Sequence, residues 1–187
     1  NCQDLDFICV QMYADIENLQ TRLTDAGYDG PYVVTEWGAT GHWEVPPTSW
    51  GAPVEQTSQE KQNSFLHRYE VAIKADSSRC MGSYAFLWGF KQEATATWFG
   101  MLLPNGNRTA SVDSMVELWT GKAPANRCPE ITKFELKGKN EVELGETVNF
   151  EMSATDVDGD PINVVWVMTD ESSNYVTGGD FQAAPST

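Results

Sequence analysis

The chain has 187 residues, with 27 acidic and 12 basic side chains and a formal net charge of −15. This balance argues against nucleic acid as a partner, because a phosphate backbone is bound mainly through Lys and Arg. No apolar run approaches the roughly 18 residues of a membrane span, so we expect no membrane insertion. The acidity is typical of a secreted, periplasmic or cell-surface protein. Because the sequence opens at Asn1 without Met, we expect it to be a piece of a longer protein.

Three short apolar runs alternate with helical patterns in the first two thirds of the chain. The runs predict strands over residues 5–13, 31–36 and 81–88. Apolar residues spaced three and four apart predict a helix after each strand. Gly27 and Gly121 are expected to end the first and third helices, and Thr57-Ser-Gln-Glu60 should start the second as a capping box.

This alternation indicates parallel strands, in either an open doubly wound sheet or a (β/α)8 barrel. No glycine-rich phosphate-binding motif follows any of the three strands, so we expect no nucleotide or other cofactor. Cys2, Cys9, Cys80 and Cys128 show no zinc-binding spacing, and their disulfide pairing stays open. Cys9 is expected to be a buried free thiol.

The pattern changes after Pro124, so we place a domain boundary between residues 1–124 and 125–187. Short alternating segments separated by turn residues predict an antiparallel β-sandwich. They are Cys128–Leu136, Val142–Leu144, Thr147–Met152 and Asn163–Val167. Since such a domain usually needs about 100 residues, only part of one is expected here. The predicted fold class is therefore α/β plus all-β.

Three aspartates, Asp156, Asp158 and Asp160, form the segment Asp-Val-Asp-Gly-Asp-Pro. It is not an EF-hand, because Val167 stands where the bidentate Glu would be required. The stretch 153–166 resembles a turn before a Trp-bearing strand in polycystic-kidney-disease-type and cadherin-like modules, which implies an immunoglobulin-like fold. In those modules the turn is often structural, so a structural turn is favoured here and Ca²⁺ binding is kept as the alternative.

The ends of the three predicted strands are Tyr13, Glu36 and Trp88. In a (β/α)8 barrel, functional residues lie at the carboxyl ends of strands and in the loops that follow them. A carboxylate that ends an apolar strand is costly to desolvate, which makes Glu36 the main candidate. The alternative is a structural Glu that caps a helix or forms a salt bridge.

Residues 33–38 (Val-Val-Thr-Glu-Trp-Gly), 41–44 (Gly-His-Trp-Glu) and 82–89 (Gly-Ser-Tyr-Ala-Phe-Leu-Trp-Gly) carry a family resemblance. They resemble the end of the barrel in the large clan of retaining glycoside hydrolases, which includes β-galactosidases, cellulases and β-glucanases. The resemblance covers residues 5 to about 121. It implies that the three strands are strands six to eight of a TIM barrel.

The resemblance also implies roles for individual residues. Glu36 matches the catalytic nucleophile, Tyr13 the residue that hydrogen-bonds it, and Trp88 the floor of the cleavage subsite, with a cis peptide expected after Trp88. Gln11 departs from the family, in which Asn often precedes this Tyr. We also assign substrate binding to three neighbouring residues, with local loop packing as the equal alternative for the last two. They are Trp37, His42 and Trp43.

The expected substrate is a polysaccharide or oligosaccharide, hydrolysed through a covalent intermediate on Glu36. The second carboxyl of this mechanism is not found at a strand end here, so the fragment alone is expected to be inactive. One alternative is a carbohydrate-binding or cell-surface module with a catalytically dead barrel. Another is a barrel hydrolase that uses Glu36 as a metal ligand, but no His stands at a strand end, so we expect no metal.

Overall fold

The computed structural model describes residues 4–172, 175 and 180–186. These residues form a three-stranded sheet, three α-helices and a separate pair of strands. In chain order the elements are β1 (Ile8–Gln11), α1 (Leu19–Asp25), β2 (Tyr32–Gly38), α2 (Ser58–Arg68), β3 (Cys80–Phe86), α3 (Ala110–Thr120), β4 (Glu130–Lys137) and β5 (Asn149–Thr155). A 3₁₀ turn at Ala14–Asn18 precedes α1, and a π-helical segment at Tyr69–Ile73 extends α2 to a 3₁₀ turn at Lys74–Asp76.

The first sheet has the order β1-β2-β3, and both neighbouring pairs are parallel. This confirms the prediction of three neighbouring parallel strands, each followed by a helix. The alternation of elements was sufficient for that prediction, because parallel neighbours require a long crossover connection, which is usually helical. The sheet has three of the eight strands that the predicted barrel would contain, so the closed barrel stays a prediction.

The helices cover one face of this sheet. Apolar side chains from the helices and from alternate strand residues share a single core, which includes Ile16, Leu19, Tyr32, Val34, Phe65, Ala72, Ile73 and Met115. On the opposite face Cys9 and Gln11 of β1 are exposed. The expectation of a buried Cys9 is therefore wrong, because strand alternation turns Cys9 away from the helix side, where Ile8 and Val10 pack.

The predicted helix ends are confirmed. Thr57 caps α2: its Oγ1 accepts a hydrogen bond from the Glu60 amide at 3.2 Å, and Glu60 Oε2 accepts one from the Thr57 amide at 2.7 Å. Gly27 follows the end of α1 with φ of 70°, and Gly121 ends α3 with φ of 73°. Glycine adopts this left-handed conformation without the steric cost that a Cβ brings.

The second unit contains two of the four predicted strands. β4 and β5 pair antiparallel, whereas the segments at 142–144 and 163–167 form no strand. Trp166 nevertheless packs near Phe134 and Phe150, with ring centroids 5.8 and 6.2 Å away. All three rings remain partly exposed. The immunoglobulin-like sandwich stays a prediction.

The aspartate-rich turn is held by protein donors. Asp156 Oδ1 accepts hydrogen bonds from the amides of Asp158 and Asp160 at 2.9 and 3.1 Å. Asp158 Oδ2 accepts one from the Arg127 amide at 2.7 Å. These bonds support a structural role for the turn. No metal-binding cluster of three or more His, Cys, Asp or Glu residues occurs in the described part of the chain.

The remaining sequence predictions concern cysteines and membranes. Cys9, Cys80 and Cys128 are free thiols, and Cys2 lies outside the described residues. No helix within the described ranges is long and apolar enough to cross a membrane. The secreted, periplasmic or cell-surface location stays a prediction.

Arg68 connects α2 to the end of β2. Its side chain is almost completely buried, with 4% of the residue exposed. Nη1 donates to the Gly38 carbonyl and Nη2 to Thr40 Oγ1, both at 2.8 Å. Nε lies 3.4 Å from Glu17 Oε1. The guanidinium thereby satisfies a buried carbonyl two residues beyond Glu36.

We expect Arg68→Met to lower the free energy of unfolding by about 1–3 kcal/mol, because Gly38 loses its hydrogen-bond donor inside the protein. Arg22→Met is the control, since Arg22 forms an exposed pair with Asp15 that should contribute at most about 1 kcal/mol. Urea denaturation followed by tryptophan fluorescence measures both. Equal effects of the two substitutions would show that the Gly38 bond does not stabilise the fold.

Candidate functional site

Glu36 lies near the carboxyl end of the central strand β2. The pairing register of β2 shifts between Val34 and Trp37 against β3, and that of β1 shifts between Val10 and Gln11. As a result Gln11 of β1 pairs with Glu36. Irregularities of this kind change the direction of a side chain at the end of a strand. Trp37 then points into the helix side, and Glu36 is only half-buried.

Two side chains from the end of β1 bind the Glu36 carboxylate. The Tyr13 hydroxyl donates a short hydrogen bond to Oε1, and Gln11 Nε2 donates one to Oε2 at 3.0 Å. Each carboxylate oxygen therefore has one donor, which fixes the plane of the group. The expected contact between Tyr13 and Glu36 is confirmed. Gln11 was missed as a site residue, although its place beside Tyr13 in the sequence could have indicated it.

The environment keeps Tyr13 protonated. Burial is the largest cause that raises the pKa of its hydroxyl, followed by the hydrogen bond to Glu36 and by the negative charge of Glu36. The charges of Glu93 and Glu44 add to the same effect. A phenol that resists ionisation remains a hydrogen-bond donor to the carboxylate.

Aromatic rings surround Tyr13 on several sides. Its ring centroid lies 5.4 Å from that of Trp43 in an edge-on arrangement, and 5.3 and 6.2 Å from those of Phe99 and Phe86. Trp43 is 53% exposed, so its indole is accessible beside Tyr13, which binds Glu36. This position suits the predicted sugar-binding role, because an aromatic face can pack on the apolar face of a pyranose.

Trp37 and His42 are placed differently from the prediction. Trp37 is fully buried, with its ring 5.3 Å from that of Phe65 in α2. A ring without exposed surface cannot stack on a sugar, so packing between β2 and α2 is the role that the structure supports. The His42 side chain is also largely buried and lies edge-on to Trp43 at 4.9 Å and to Trp98 at 5.8 Å. For His42 the alternative of loop packing is therefore supported.

Trp88 follows the end of β3 and is 60% exposed. Because β3 runs parallel to β2, Trp88 lies toward the same end of the sheet as Glu36. The β3 ring that contacts Tyr13 is Phe86, however, and not Trp88. The cis peptide expected after Trp88 is found instead between Phe86 and Leu87, so that detail of the prediction is wrong.

Three carboxylates in the loops of this unit form hydrogen bonds or ion pairs. Glu44 accepts hydrogen bonds from two backbone amides. Glu55 pairs with buried Lys61, and the buried Glu93 pairs with Lys91. Each of these three carboxylates therefore has a structural partner in this chain.

Comparison with known proteins adds no assignment: no protein-family model matches the chain, and no curated protein matches it. The site is therefore interpreted from its own geometry. It consists of an oriented carboxylate, two donors and an accessible indole. Such a carboxylate can act as a nucleophile or bind a positively charged group.

Replacing Glu36 with Gln should lower the pKa of Tyr13, because it removes the hydrogen bond to a charged acceptor and the nearby negative charge while burial remains. Ultraviolet difference titration of tyrosinate measures the change, and subtraction of the Tyr13→Phe spectra identifies the residue. In the unsubstituted protein, Tyr13 should ionise above the ordinary tyrosine value of 10.0. An unchanged Tyr13 titration in Glu36→Gln would contradict the coupling.

Proposed function

We propose that this chain carries the nucleophile of a retaining glycoside hydrolase, and that Glu36 is that nucleophile. The observation that carries the proposal is the Glu36 carboxylate, held by Tyr13 and Gln11 at the end of β2 beside an exposed indole. The sequence resemblance supports the same role. On this proposal residues 1–124 supply the last three units of a (β/α)8 barrel, and residues 125–187 begin an immunoglobulin-like domain.

The proposed reaction has two steps. Glu36 attacks the anomeric carbon to form a glycosyl ester, while a second carboxylic acid protonates the departing oxygen. That second group then removes a proton from water, which hydrolyses the ester with net retention. In this mechanism Tyr13 and Gln11 keep the Glu36 carboxylate oriented toward the sugar, and the two carboxyl groups must lie about 5–5.5 Å apart.

On this proposal the second carboxylic acid lies on another strand of the full-length barrel, as the family resemblance implies. Glu44, Glu55 and Glu93 all have structural partners, as shown above. It follows that this chain alone should bind sugar weakly and should not hydrolyse it.

A second candidate function is a carbohydrate-binding or cell-surface module with an inactive barrel. The observation that favours it is the group of partly exposed rings on the second unit, Phe134, Phe150 and Trp166. Exposed aromatic rings can bind sugars without any chemistry. The two functions differ in turnover, because only the enzyme would hydrolyse a glycoside.

Glu36→Gln in the full-length protein should lower kcat on the order of 10⁴-fold or more, because an amide cannot form the glycosyl ester. The assay uses a nitrophenyl β-D-galactoside and β-D-glucoside, and the matching fluorosugar inactivators trap the intermediate for peptide mapping. Glu70→Gln is the control, since Glu70 is exposed on the outer helix layer and pairs with Lys74. Its activity should remain normal.

Either of two results would contradict the nucleophile assignment. One is near-normal turnover by Glu36→Gln. The other is fluorosugar labelling of a carboxylate other than Glu36. Sugar binding without turnover in the unsubstituted full-length protein would instead favour the binding module.

In the full-length protein, Trp43→Ala should weaken binding of a reversible sugar inhibitor by about 0.5–1.5 kcal/mol, because an exposed aromatic surface next to Tyr13 is lost. Trp119→Ala is a matched control: Trp119 is 62% exposed, but it lies in the last turn of α3. Isothermal titration calorimetry measures both. Equal sugar affinities of the two variants would show that Trp43 does not contact the ligand.

A further inference from the structure

Glu44 bridges two loops of the candidate site. Its carboxylate accepts a hydrogen bond from the Gly41 amide at 2.8 Å and from the Ala14 amide at 3.0 and 3.2 Å through its two oxygens. Gly41 lies in the loop after β2, whereas Ala14 follows β1. One side chain therefore connects the two strand ends that carry the site.

The two amides belong to the backbone that positions Tyr13 and Trp43. Ala14 directly follows Tyr13, so the Ala14 N–H belongs to the peptide bond that joins the two residues. A hydrogen bond to this N–H therefore restrains the backbone of Tyr13. Gly41 and Glu44 close a turn around Trp43, with the Glu44 amide donating to the Gly41 carbonyl at 2.9 Å. A Cβ on Gly41 would come within 2.6 Å of the Trp43 indole, which shows that the ring lies directly against this turn.

The hydrogen bonds of Glu44 explain how two separate loops keep a fixed distance. Bonds from amides to a carboxylate are stronger than bonds between neutral groups. Oε2 accepts from both amides, so a single oxygen at this position is sufficient for the connection. The charge strengthens these bonds, but the connection itself requires only the length of the side chain and one acceptor oxygen.

We propose that Glu44 is a positioning residue of this site, whose carboxylate holds Tyr13 and Trp43 in a fixed arrangement around Glu36. The inference rests on the proposed glycoside hydrolase function. Through Tyr13 it controls the orientation of the Glu36 carboxylate, and through Trp43 it controls the surface offered to the sugar. Glu44 itself does not take part in proton transfer.

Three substitutions separate positioning from chemistry. Glu44→Gln keeps the length and one acceptor oxygen, Glu44→Asp keeps the charge but shortens the side chain, and Glu44→Ala removes both. In the full-length protein we expect kcat/KM to fall about 10- to 100-fold in the Ala and Asp variants, because displaced groups lose productive geometry. The Gln variant should stay within a few-fold of the unsubstituted protein. Glu146→Ala is the control, since Glu146 also accepts a backbone hydrogen bond, but in the second unit.

A second readout does not depend on activity. With 5-fluorotryptophan incorporated, the fluorine NMR signal of Trp43, assigned through Trp43→Phe, should shift or broaden in the Ala and Asp variants and stay unchanged in Gln. This measurement tests the connection even if Glu36 is not a nucleophile, which Glu36→Gln tests separately. If the Ala variant does not fold, comparison of the Trp43 signal between the Gln and Asp variants still decides the question.

The proposal is overturned if Gln is as inactive as Ala while Asp is active, because that pattern requires the charge. It is also overturned if the Trp43 signal and kcat/KM are unchanged in both Ala and Asp. Retention of the Trp43 signal in Gln together with its change in Asp supports the connection.

Discussion

The candidate site depends on how a carboxylate at the end of a packed strand is solvated. Glu36 is half-buried, and desolvation of a charged group is costly unless donors replace the lost water. The neighbouring strand supplies those donors, because Gln11 pairs with Glu36 and Tyr13 follows two residues later. Since Gln11 ends β1 and Tyr13 follows it after one intervening residue, the parallel pairing of β1 with β2 places both donors at the carboxylate.

The helix side of β2 holds this strand end in place. Trp37 packs against Phe65 of α2, and Arg68 from the end of α2 binds the Gly38 carbonyl. The residues immediately after Glu36 are thereby fixed by the core, while Glu36 faces away from it. The same helix thus stabilises the fold and sets the position of the functional side chain.

The loops after β2 and β3 form a second layer around the site. His42 and Phe99 lie near Trp43, and Glu44 connects its turn to the backbone after Tyr13. This packing explains how an exposed indole can keep a defined position in a loop. One contact between the two units is made by Asp113 of α3, whose Oδ2 accepts a hydrogen bond from the Cys128 amide at 2.7 Å.

The sequence by itself determined the three parallel strands and the helix ends, because these follow from periodicity and capping residues. The contact between Tyr13 and Glu36 was predicted from their strand-end positions together with the family resemblance. It did not determine which neighbouring residues face solvent. Trp37 and Trp43 are both Trp beside the strand end, yet one is buried and the other exposed. Register shifts in the sheet and packing of the loops decide that difference, and they depend on contacts between residues far apart in the chain. For the same reason the role of Glu44 became visible only in the tertiary structure, where its carboxylate meets the amides of Ala14 and Gly41.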